Sequence, residues 1–244
     1  MNAPRFHNPV FVALDTPDLS KAFAIAEGVA PHVGGLKVGL EFITANGPKG
    51  IEKIVRLGRP VFADVKFHDI PNTVAGAARE IAKLGVMLFN VHAAGGEAMM
   101  RAAKESAASV NPDVKLIAVT VLTSLNDDDL DAVGQRKPAR EQVERLATLT
   151  QQSGLDGVVC SAHEIVPLRK ALGREFMLVT PGIRPAGAQI ADQKRVMSPG
   201  EAVRAGSDIL VIGRPITGAA DPVAAAQAIA NEIAAANTTA SSLG

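Results

Sequence analysis

Short apolar runs recur along the whole chain and alternate with stretches that have apolar residues at helical spacing. Most of the short runs are continuously apolar and rich in β-branched residues. This pattern is typical of parallel strands that are covered by helices. We predict eight strands, at residues 10–15, 35–39, 61–66, 87–92, 115–122, 157–161, 176–180 and 209–213.

The helical stretches follow the predicted strands one by one. They are residues 19–29, 50–57, 73–84, 96–108, 139–153, 163–172, 199–205 and 222–235. Eight strand–helix units in 244 residues have the length and order of an α/β fold of the (β/α)8 TIM-barrel type. A doubly wound sheet is the alternative, but it more often has a Gly-rich turn after the first strand, where this chain has Asp15-Thr16-Pro17-Asp18.

The chain shows no internal boundary between domains. No linker rich in Ser, Gly or Pro divides it, so we predict a single barrel domain over residues 1–244 with a disordered tail at residues 236–244. Residues 184–198 are long and without a clear period, as is typical of a functional loop such as a lid. There is no signal-peptide pattern at the N-terminus and no apolar run of membrane-spanning length.

Composition argues against several partners. The 25 basic and 25 acidic residues give zero net charge, whereas nonspecific binding to nucleic acid or a membrane surface needs a basic excess. The chain has no Trp or Tyr on which bases of single strands could stack. The single cysteine, Cys160, forms no intrachain disulfide, which favours a reducing, cytoplasmic location.

Charged residues are concentrated at the end of the third predicted strand. Asp64 and Lys66 are two residues apart, so a regular strand directs both to one face, opposite Val65. That face is the barrel interior at its catalytic end. With Lys37 on the neighbouring strand and Asp69 just beyond, four charges form an alternating chain that sums to zero.

Two other interpretations of these residues stay open. A buried ion-pair network can serve only to fix the barrel, although such networks stabilise proteins poorly. A metal site is the second, with Asp64, His68, Asp69 and His92 as ligands, although the two lysines already neutralise the carboxylates.

A second group of residues follows the last two predicted strands. Pro181 and Arg184 belong to the motif Thr-Pro-Gly-Ile-Arg after strand seven, and Gly213 and Arg214 follow strand eight. Barrels commonly hold a phosphate in these two loops. Glycine lets backbone N–H groups approach the anion, and arginine binds its oxygens through a bidentate fork. We therefore expect a phosphate site.

Three polar residues at other strand ends are weaker candidates. Asp15 ends the first strand, where it can accept hydrogen bonds from sugar hydroxyls or cap the following helix. Thr123 and Ser124, after strand five, can bind the polar edge of a ligand or be ordinary loop residues.

The segment Asp64-Val65-Lys66-Phe67-His68-Asp69-Ile70-Pro71-Asn72-Thr73 resembles the signature of the orotidine 5′-phosphate decarboxylase family. The resemblance covers nearly the whole chain and is closest to the bacterial short form. The other matching motifs are Val-Ala-Leu-Asp at 12–15, Leu-Lys-Val-Gly at 36–39, Val-Thr-Val-Leu-Thr-Ser at 119–124, Thr-Pro-Gly-Ile-Arg at 180–184 and Val-Ile-Gly-Arg-Pro at 211–215.

The resemblance implies conversion of orotidine 5′-monophosphate to uridine 5′-monophosphate and carbon dioxide, with no cofactor and no metal. In the family pattern, Lys66 protonates the ring carbon after decarboxylation, and Asp64 lies beside the departing carboxylate. Lys37 contacts the ribose and supports the charge chain, and Asp15 holds ribose hydroxyls.

The resemblance also implies a homodimer with shared active sites, in which Asp69 and Thr73 reach into the neighbouring subunit's site. Thr123 and Ser124 are implied to lie at the pyrimidine. The remaining substrate-binding residues, for the phosphate end, are Pro181, Arg184, Gln193, Gly213 and Arg214, with residues 184–198 closing over the phosphate.

Three other functions are consistent with parts of the pattern. A related barrel group shares the Asp-x-Lys-x-x-Asp core and carries out metal-dependent aldol or decarboxylation chemistry on sugar phosphates. A Schiff-base aldolase is disfavoured because carboxylates flanking Lys66 hold it protonated and non-nucleophilic. A non-catalytic barrel that binds a nucleotide or a protein is disfavoured by the complete set of charges.

Overall fold

Eight strands form one closed parallel barrel in chain order, in a computed structural model that describes residues 6–185 and 197–241. The predicted TIM barrel is therefore confirmed. The strands are β1 (Val10–Ala13), β2 (Gly35–Val38), β3 (Val61–Phe67), β4 (Leu88–His92), β5 (Lys115–Val119), β6 (Gly157–Val159), β7 (Met177–Pro181) and β8 (Ile209–Ile212).

Helices follow the strands, as the sequence pattern predicts. They are α1 (Leu19–Val29), α2 (Leu40–Val55), α3 (Pro71–Lys83), α4 (Gly96–Ala108), α5 (Asp127–Ala132), α6 (Ala139–Gln152), α7 (Ile165–Leu172), α8 (Pro199–Ala205), α9 (Arg214–Thr217) and α10 (Pro222–Ser241). Within the described ranges, no helix combines the length and the apolar character needed to cross a bilayer.

The helices differ from the sequence prediction most at α2, α5, α9 and α10, and the bounds of α3, α6 and α7 differ by one or two residues. Helix α2 begins at Leu40 and not at residue 50, because it continues through a kink at Gly47, where φ is +60°, before Pro48. Helices α5 and α9 were not predicted, since six and four residues are too short for a periodic signal. Helix α10 runs to Ser241, so residues 236–241 of the expected tail are helical.

One compact unit consists of residues 1–64 and 180–244, the two ends of the chain. In this unit β1 pairs with both β2 and β8, and β2 pairs with the start of β3. All residues of β1, β2 and β8 are buried, because their continuous apolar sequence suits a strand covered on both faces. Lys37 is the one charged residue in these three strands.

The second compact unit consists of residues 65–179. Its strands β4, β5, β6 and β7 pair in parallel, with Asn90 opposite Ile117 and His92 opposite Val119. The core of these strands includes Leu88 and Phe89, both fully buried.

Candidate active site

The ammonium group of Lys37 is held between two carboxylates at the ends of β1, β2 and β3. Its Nζ lies 2.8 Å from Asp15 Oδ1 and 3.5 Å from Asp64 Oδ2. Lys37 is only 6% exposed, and a buried ammonium is tolerable only when it is paired. The parallel register places Ala13 and Phe62 beside Lys37, which brings the residues that follow them to the same end of the sheet.

The contact of Lys37 with Asp64 confirms that part of the predicted charge chain. The contact with Asp15 was not predicted. The N–H of Leu14 donates a hydrogen bond to the carbonyl of Lys37, which extends the β1–β2 ladder by one residue beyond β1. Asp15 is the next residue in the chain, so its carboxylate lies within reach of the Lys37 ammonium. The cap of α1 is Asp18, whose Oδ1 accepts from the N–H groups of Ser20 and Lys21. The capping alternative for Asp15 was therefore wrong.

Gly39 makes room for this ion pair. A Cβ atom at this position would lie 2.8 Å from Lys37 Nζ and 2.9 Å from Asp15 Oδ1, closer than real Cβ contacts. The absence of a side chain at Gly39 is therefore a requirement of the observed geometry. The pattern Leu-Lys-Val-Gly contains this residue, but its spacing alone does not reveal what a side chain there would touch.

Lys66 lies on β3 in an unusual backbone conformation. Its φ is +52°, and within the described part of the chain no other non-glycine residue has a positive φ. The left-handed region is unfavourable for an L-residue by about 1–2 kcal/mol. The Lys66 N–H donates to the side-chain oxygen of Asn90 at 2.8 Å. The sequence analysis assumed that side chains alternate between the two faces of the strand. This assumption holds as far as Val65, whereas the direction of the Lys66 side chain depends on its left-handed backbone.

The residues after Lys66 pass directly into α3. The ring of His68 stacks on that of His92, with centroids 5.4 Å apart and planes 24° apart. Asp69 Oδ1 accepts a hydrogen bond from the N–H of Ile70 at 2.7 Å. Asp69 is exposed, as are Ile70 and Thr73. Across the described ranges, no three His, Cys, Asp or Glu side chains are grouped so that they could hold a metal ion.

The predicted phosphate residues lie at the ends of β7 and β8. Pro181 is the last residue of β7, Gly213 follows β8, and Arg214 is the first residue of α9. The N–H of Arg184 donates to the carbonyl of Met197 at 3.2 Å, so residues near the two ends of the predicted lid are joined. Gln193 lies outside the described residues.

Thr123 and Ser124 are exposed residues in the turn after β5. The turn is closed by the N–H of Leu125, which donates to the carbonyl of Leu122 at 2.9 Å. Among residues 6–185 and 197–241, no side-chain contact distinguishes them from ordinary turn residues, and their role stays a prediction.

Sequence analysis did not single out Asn90. The signal was nevertheless present, because Asn90 interrupts the apolar sequence of β4 between Phe89 and Val91 and is completely buried. A polar side chain within a buried strand must find a hydrogen-bonding partner, and here the partner is the backbone of Lys66.

The fold is a closed (β/α)8 barrel, and a buried cluster of one lysine and two carboxylates lies at the ends of its first three strands. These two features define a TIM-barrel protein with charged groups at the strand ends, where barrels carry their active sites. Within that class, the chain belongs to the orotidine 5′-phosphate decarboxylase / HUMPS family, whose model matches residues 8–229.

Individual relatives agree with this assignment. An orotidine 5′-phosphate decarboxylase from Rhodospirillum rubrum is 55% identical over 233 residues, which cover 93% of this chain and 94% of the relative. The enzyme of the same name from Moorella thermoacetica is 55% identical over 230 residues, or 92% of this chain and 91% of the relative. The crystal structure of orotidine 5′-phosphate decarboxylase from Lactobacillus acidophilus has a TM-score of 0.83 at 40% identity, and covers 93% of this chain and 99% of its own.

Proposed function

We propose that this protein is an enzyme, a carboxy-lyase that converts orotidine 5′-monophosphate to uridine 5′-monophosphate and carbon dioxide in pyrimidine biosynthesis. Family membership over residues 8–229 and relatives above 50% identity support the reaction. The observation in the structure that carries it is the buried ammonium of Lys37 between Asp15 and Asp64, next to the signature segment of β3. The cytoplasmic location is part of the proposal, supported by the single buried cysteine.

The reaction needs a cation close to the carbon that loses the carboxylate. The bond from the ring carbon to the carboxylate breaks, carbon dioxide leaves, and the electron pair remains on the ring carbon in the plane of the pyrimidine. An ammonium about 4 Å away stabilises that charge by roughly 4 kcal/mol at an effective dielectric constant near 20. We assign this role to Lys66, which then donates a proton to the same carbon and is reprotonated from solvent.

Asp64 and Lys37 provide the charged surroundings of the carbon–carbon bond that breaks. Asp64, two residues before Lys66 on β3, lies beside the departing carboxylate in this proposal. The contact of Asp64 with Lys37 limits the rotation of its side chain, so that its charge stays in one place during the reaction. Lys37 and Asp15 bind the ribose, because the half-exposed Asp15 has free surface for a sugar hydroxyl.

The phosphate end is assigned to Pro181, Arg184, Gln193, Gly213 and Arg214, and the pyrimidine edge to Thr123 and Ser124. Arginine guanidinium groups and a glycine backbone are suited to phosphate oxygens. The bond between Arg184 and Met197 supports a lid over residues 184–198, since it joins the two ends of this segment. Phosphate binding far from the reacting carbon can then contribute to the rate by driving closure.

A homodimer with shared active sites is the third part of the proposal, with Asp69 and Thr73 contributed to the partner's site. Its support is the surface beside these two residues. Ile70 is 67% exposed and lies directly between Asp69 and the start of α3. A large apolar side chain with this exposure, next to polar residues of the signature, is suited to burial against a second copy.

The test is an ultraviolet assay that follows loss of orotidine 5′-monophosphate in the presence of a chelator. The wild-type protein should turn over the substrate at the same rate with and without chelator. The Lys66→Ala variant should fold but show no measurable turnover. Lack of wild-type activity on this substrate, or appreciable activity of Lys66→Ala, would contradict the proposal.

The family description also covers enzymes other than the decarboxylase. The same preparation should therefore be incubated with sugar phosphates and a divalent metal. Metal-dependent turnover of a sugar phosphate, without loss of orotidine 5′-monophosphate, would identify the alternative of the Asp-x-Lys-x-x-Asp group.

A further inference from the structure

Three consecutive residues, the last two of β3 and the one that follows it, each contact a side chain of β4. The N–H of Lys66 donates to Asn90 Oδ1, the ring of Phe67 packs edge-on against Phe89 at 6.3 Å, and His68 stacks on His92. These contacts begin at Lys66, the residue whose backbone is left-handed, and continue through the two residues after it. Strand β4 therefore acts as a template for the segment that carries Lys66.

We propose that Asn90 is a positioning residue for Lys66, whose amide oxygen keeps the lysine backbone in its left-handed conformation. The inference rests on the proposed function, because Lys66 is the group assigned to proton transfer. Asn90 itself has no role with substrate in this proposal. It acts by way of the Lys66 backbone, to which it is hydrogen-bonded.

The local energetics require an acceptor at this point. A left-handed L-residue is unfavourable by itself, so it persists only where its surroundings select it over the extended conformation. A hydrogen bond of 2.8 Å to a side chain with no exposed surface provides such a selection. Loss of that acceptor would remove the hydrogen bond that the Lys66 N–H donates to a fully buried side chain, so the selection for the left-handed conformation would weaken.

The type of side chain also fits the role. Asn carries a carbonyl oxygen on a short stem with few rotamers, and it is neutral. An acceptor of this kind constrains the backbone of Lys66 without adding a buried carboxylate to β4. Asp in its place would keep the acceptor but bring a buried charge, and Leu would keep the volume but remove the acceptor.

The contact can be observed first in the wild-type protein without substrate. Deuterated, isotope-labelled protein should show a scalar coupling across the hydrogen bond from the Lys66 amide nitrogen to the side-chain carbonyl carbon of Asn90. The Lys66 carbon shifts should have the values of a left-handed residue. Absence of both signals would overturn the proposal.

The variants Asn90→Leu and Asn90→Asp then distinguish the effect of the hydrogen-bond acceptor from the effect of side-chain volume. Asn90→Leu should lose the left-handed shifts of Lys66 and lower kcat about 10- to 100-fold, as expected for a misplaced catalytic group. Its affinity for uridine 5′-monophosphate should change little, because the ribose and phosphate contacts remain. Asn90→Asp should retain the left-handed shifts. If Asn90→Leu does not fold, Asn90→Asp and the wild-type coupling still decide the outcome.

The matched control is Thr150→Val, which removes a fully buried hydroxyl from α6 in the same unit of the chain. It should lower the melting temperature without changing kcat. A kcat of Asn90→Leu no lower than that of Thr150→Val, or left-handed shifts in Asn90→Leu, would refute the positioning role. The shifts and coupling need no turnover, so they remain decisive if the wild-type protein does not act on orotidine 5′-monophosphate.

Discussion

The two carboxylates that hold Lys37 differ in their access to solvent. The side chain of Asp15 is 53% exposed, whereas that of Asp64 is 15% exposed. A ligand hydroxyl that binds Asp15 would therefore cover the open side of an ion pair whose other side is already buried. Removal of one partner is costly only where the remaining charge is buried, so loss of Asp64 should destabilise the protein more than loss of the half-exposed Asp15.

Gly39→Ala tests the geometry of the Asp15–Lys37 pair. The new Cβ would lie 2.8 Å from Lys37 Nζ and 2.9 Å from Asp15 Oδ1, so the pair must separate. The lysine end is flexible, and we expect the variant to fold while kcat/KM falls about tenfold, equivalent to about 1.4 kcal/mol. Steady-state kinetics and a melting curve check this.

Gly28→Ala is the matched control for this substitution, because its Cβ would meet only Val223, at 3.3 Å. It should retain wild-type kinetics. Unchanged kinetics in Gly39→Ala as well would show that the Asp15–Lys37 geometry does not matter for the reaction.

Arg214→Ala tests the phosphate assignment. Hydrogen bonds from charged groups contribute about 1.5–3 kcal/mol, so binding of orotidine 5′-monophosphate should weaken about 10- to 150-fold. Binding of orotidine, which has no phosphate, should change little. Competition measurements with both ligands provide the comparison, and equal losses for both would argue against a phosphate contact.

At the residue scale, the sequence predicts which charges occur near the strand ends but not their full geometry. Lys37 and Asp64 meet because neighbouring strands and side-chain alternation bring them together, and both rules are visible in the sequence. The contact between Asp15 and Lys37 depends on one further backbone hydrogen bond between β1 and β2, donated by Leu14 just beyond the end of β1. The φ of Lys66 was not predictable, since alternation presupposes an extended backbone.

At the scale of elements, α8 is the helix that follows the predicted lid, and its first turn is capped. Ser198 Oγ accepts from the N–H of Glu201, and the Ser198 N–H donates to Glu201 Oε2 at 2.9 Å. The Ser198 N–H that donates to the Glu201 carboxylate, together with the nearby Ser198 hydroxyl, lowers the pKa of Glu201 from its ordinary value of 4.5. The cap therefore stabilises the folded protein above that value and weakens as pH falls through the lowered pKa.

Ser198→Ala should reduce the free energy of unfolding by about 1 kcal/mol at neutral pH. Urea titrations of this variant and of Glu201→Gln, each against wild type from pH 7 to pH 3, measure the effect. The difference in free energy of unfolding between wild type and Glu201→Gln should shrink below pH 4.5, because protonated Glu201 in the wild type no longer offers a charged acceptor. A difference independent of pH would contradict the pKa assignment.

Long, periodic elements were predictable from the sequence and short or interrupted ones were not. Helix α6 has a sustained amphipathic pattern and was predicted within one residue. Helix α2 was truncated in the prediction because Gly47 and Pro48 signal a break, whereas the helix resumes after the kink. Helix α9 has only four residues, fewer than periodicity can reveal.

At the scale of the molecule, the proposed dimer makes each active site depend on two chains. Mixing Lys66→Ala with Asp69→Ala should therefore restore activity, because one of the two sites in a hybrid dimer has both residues intact. Statistical exchange gives hybrids in half of the dimers, so about one quarter of wild-type activity is expected. No recovery, with subunit exchange confirmed by mass spectrometry, would exclude the shared site.

The barrel itself was predictable because eight repeats of one strand–helix pattern leave few alternative arrangements of the chain. The periodicity of apolar residues reports the repeat but carries no information on a second copy of the chain, and the homodimer is expected only from the family resemblance. The exposure of Ile70 became visible only in the structure.

The left-handed backbone of Lys66 also bears on protein design. A designer who transplanted the Asp-x-Lys spacing onto an idealised strand would obtain the right residues with a different direction for the lysine, since ideal strands have negative φ throughout. The transferable motif is larger than three residues and includes Asn90, from a strand that is distant in sequence. A successful graft must therefore copy two adjacent strands and accept one locally unfavourable torsion.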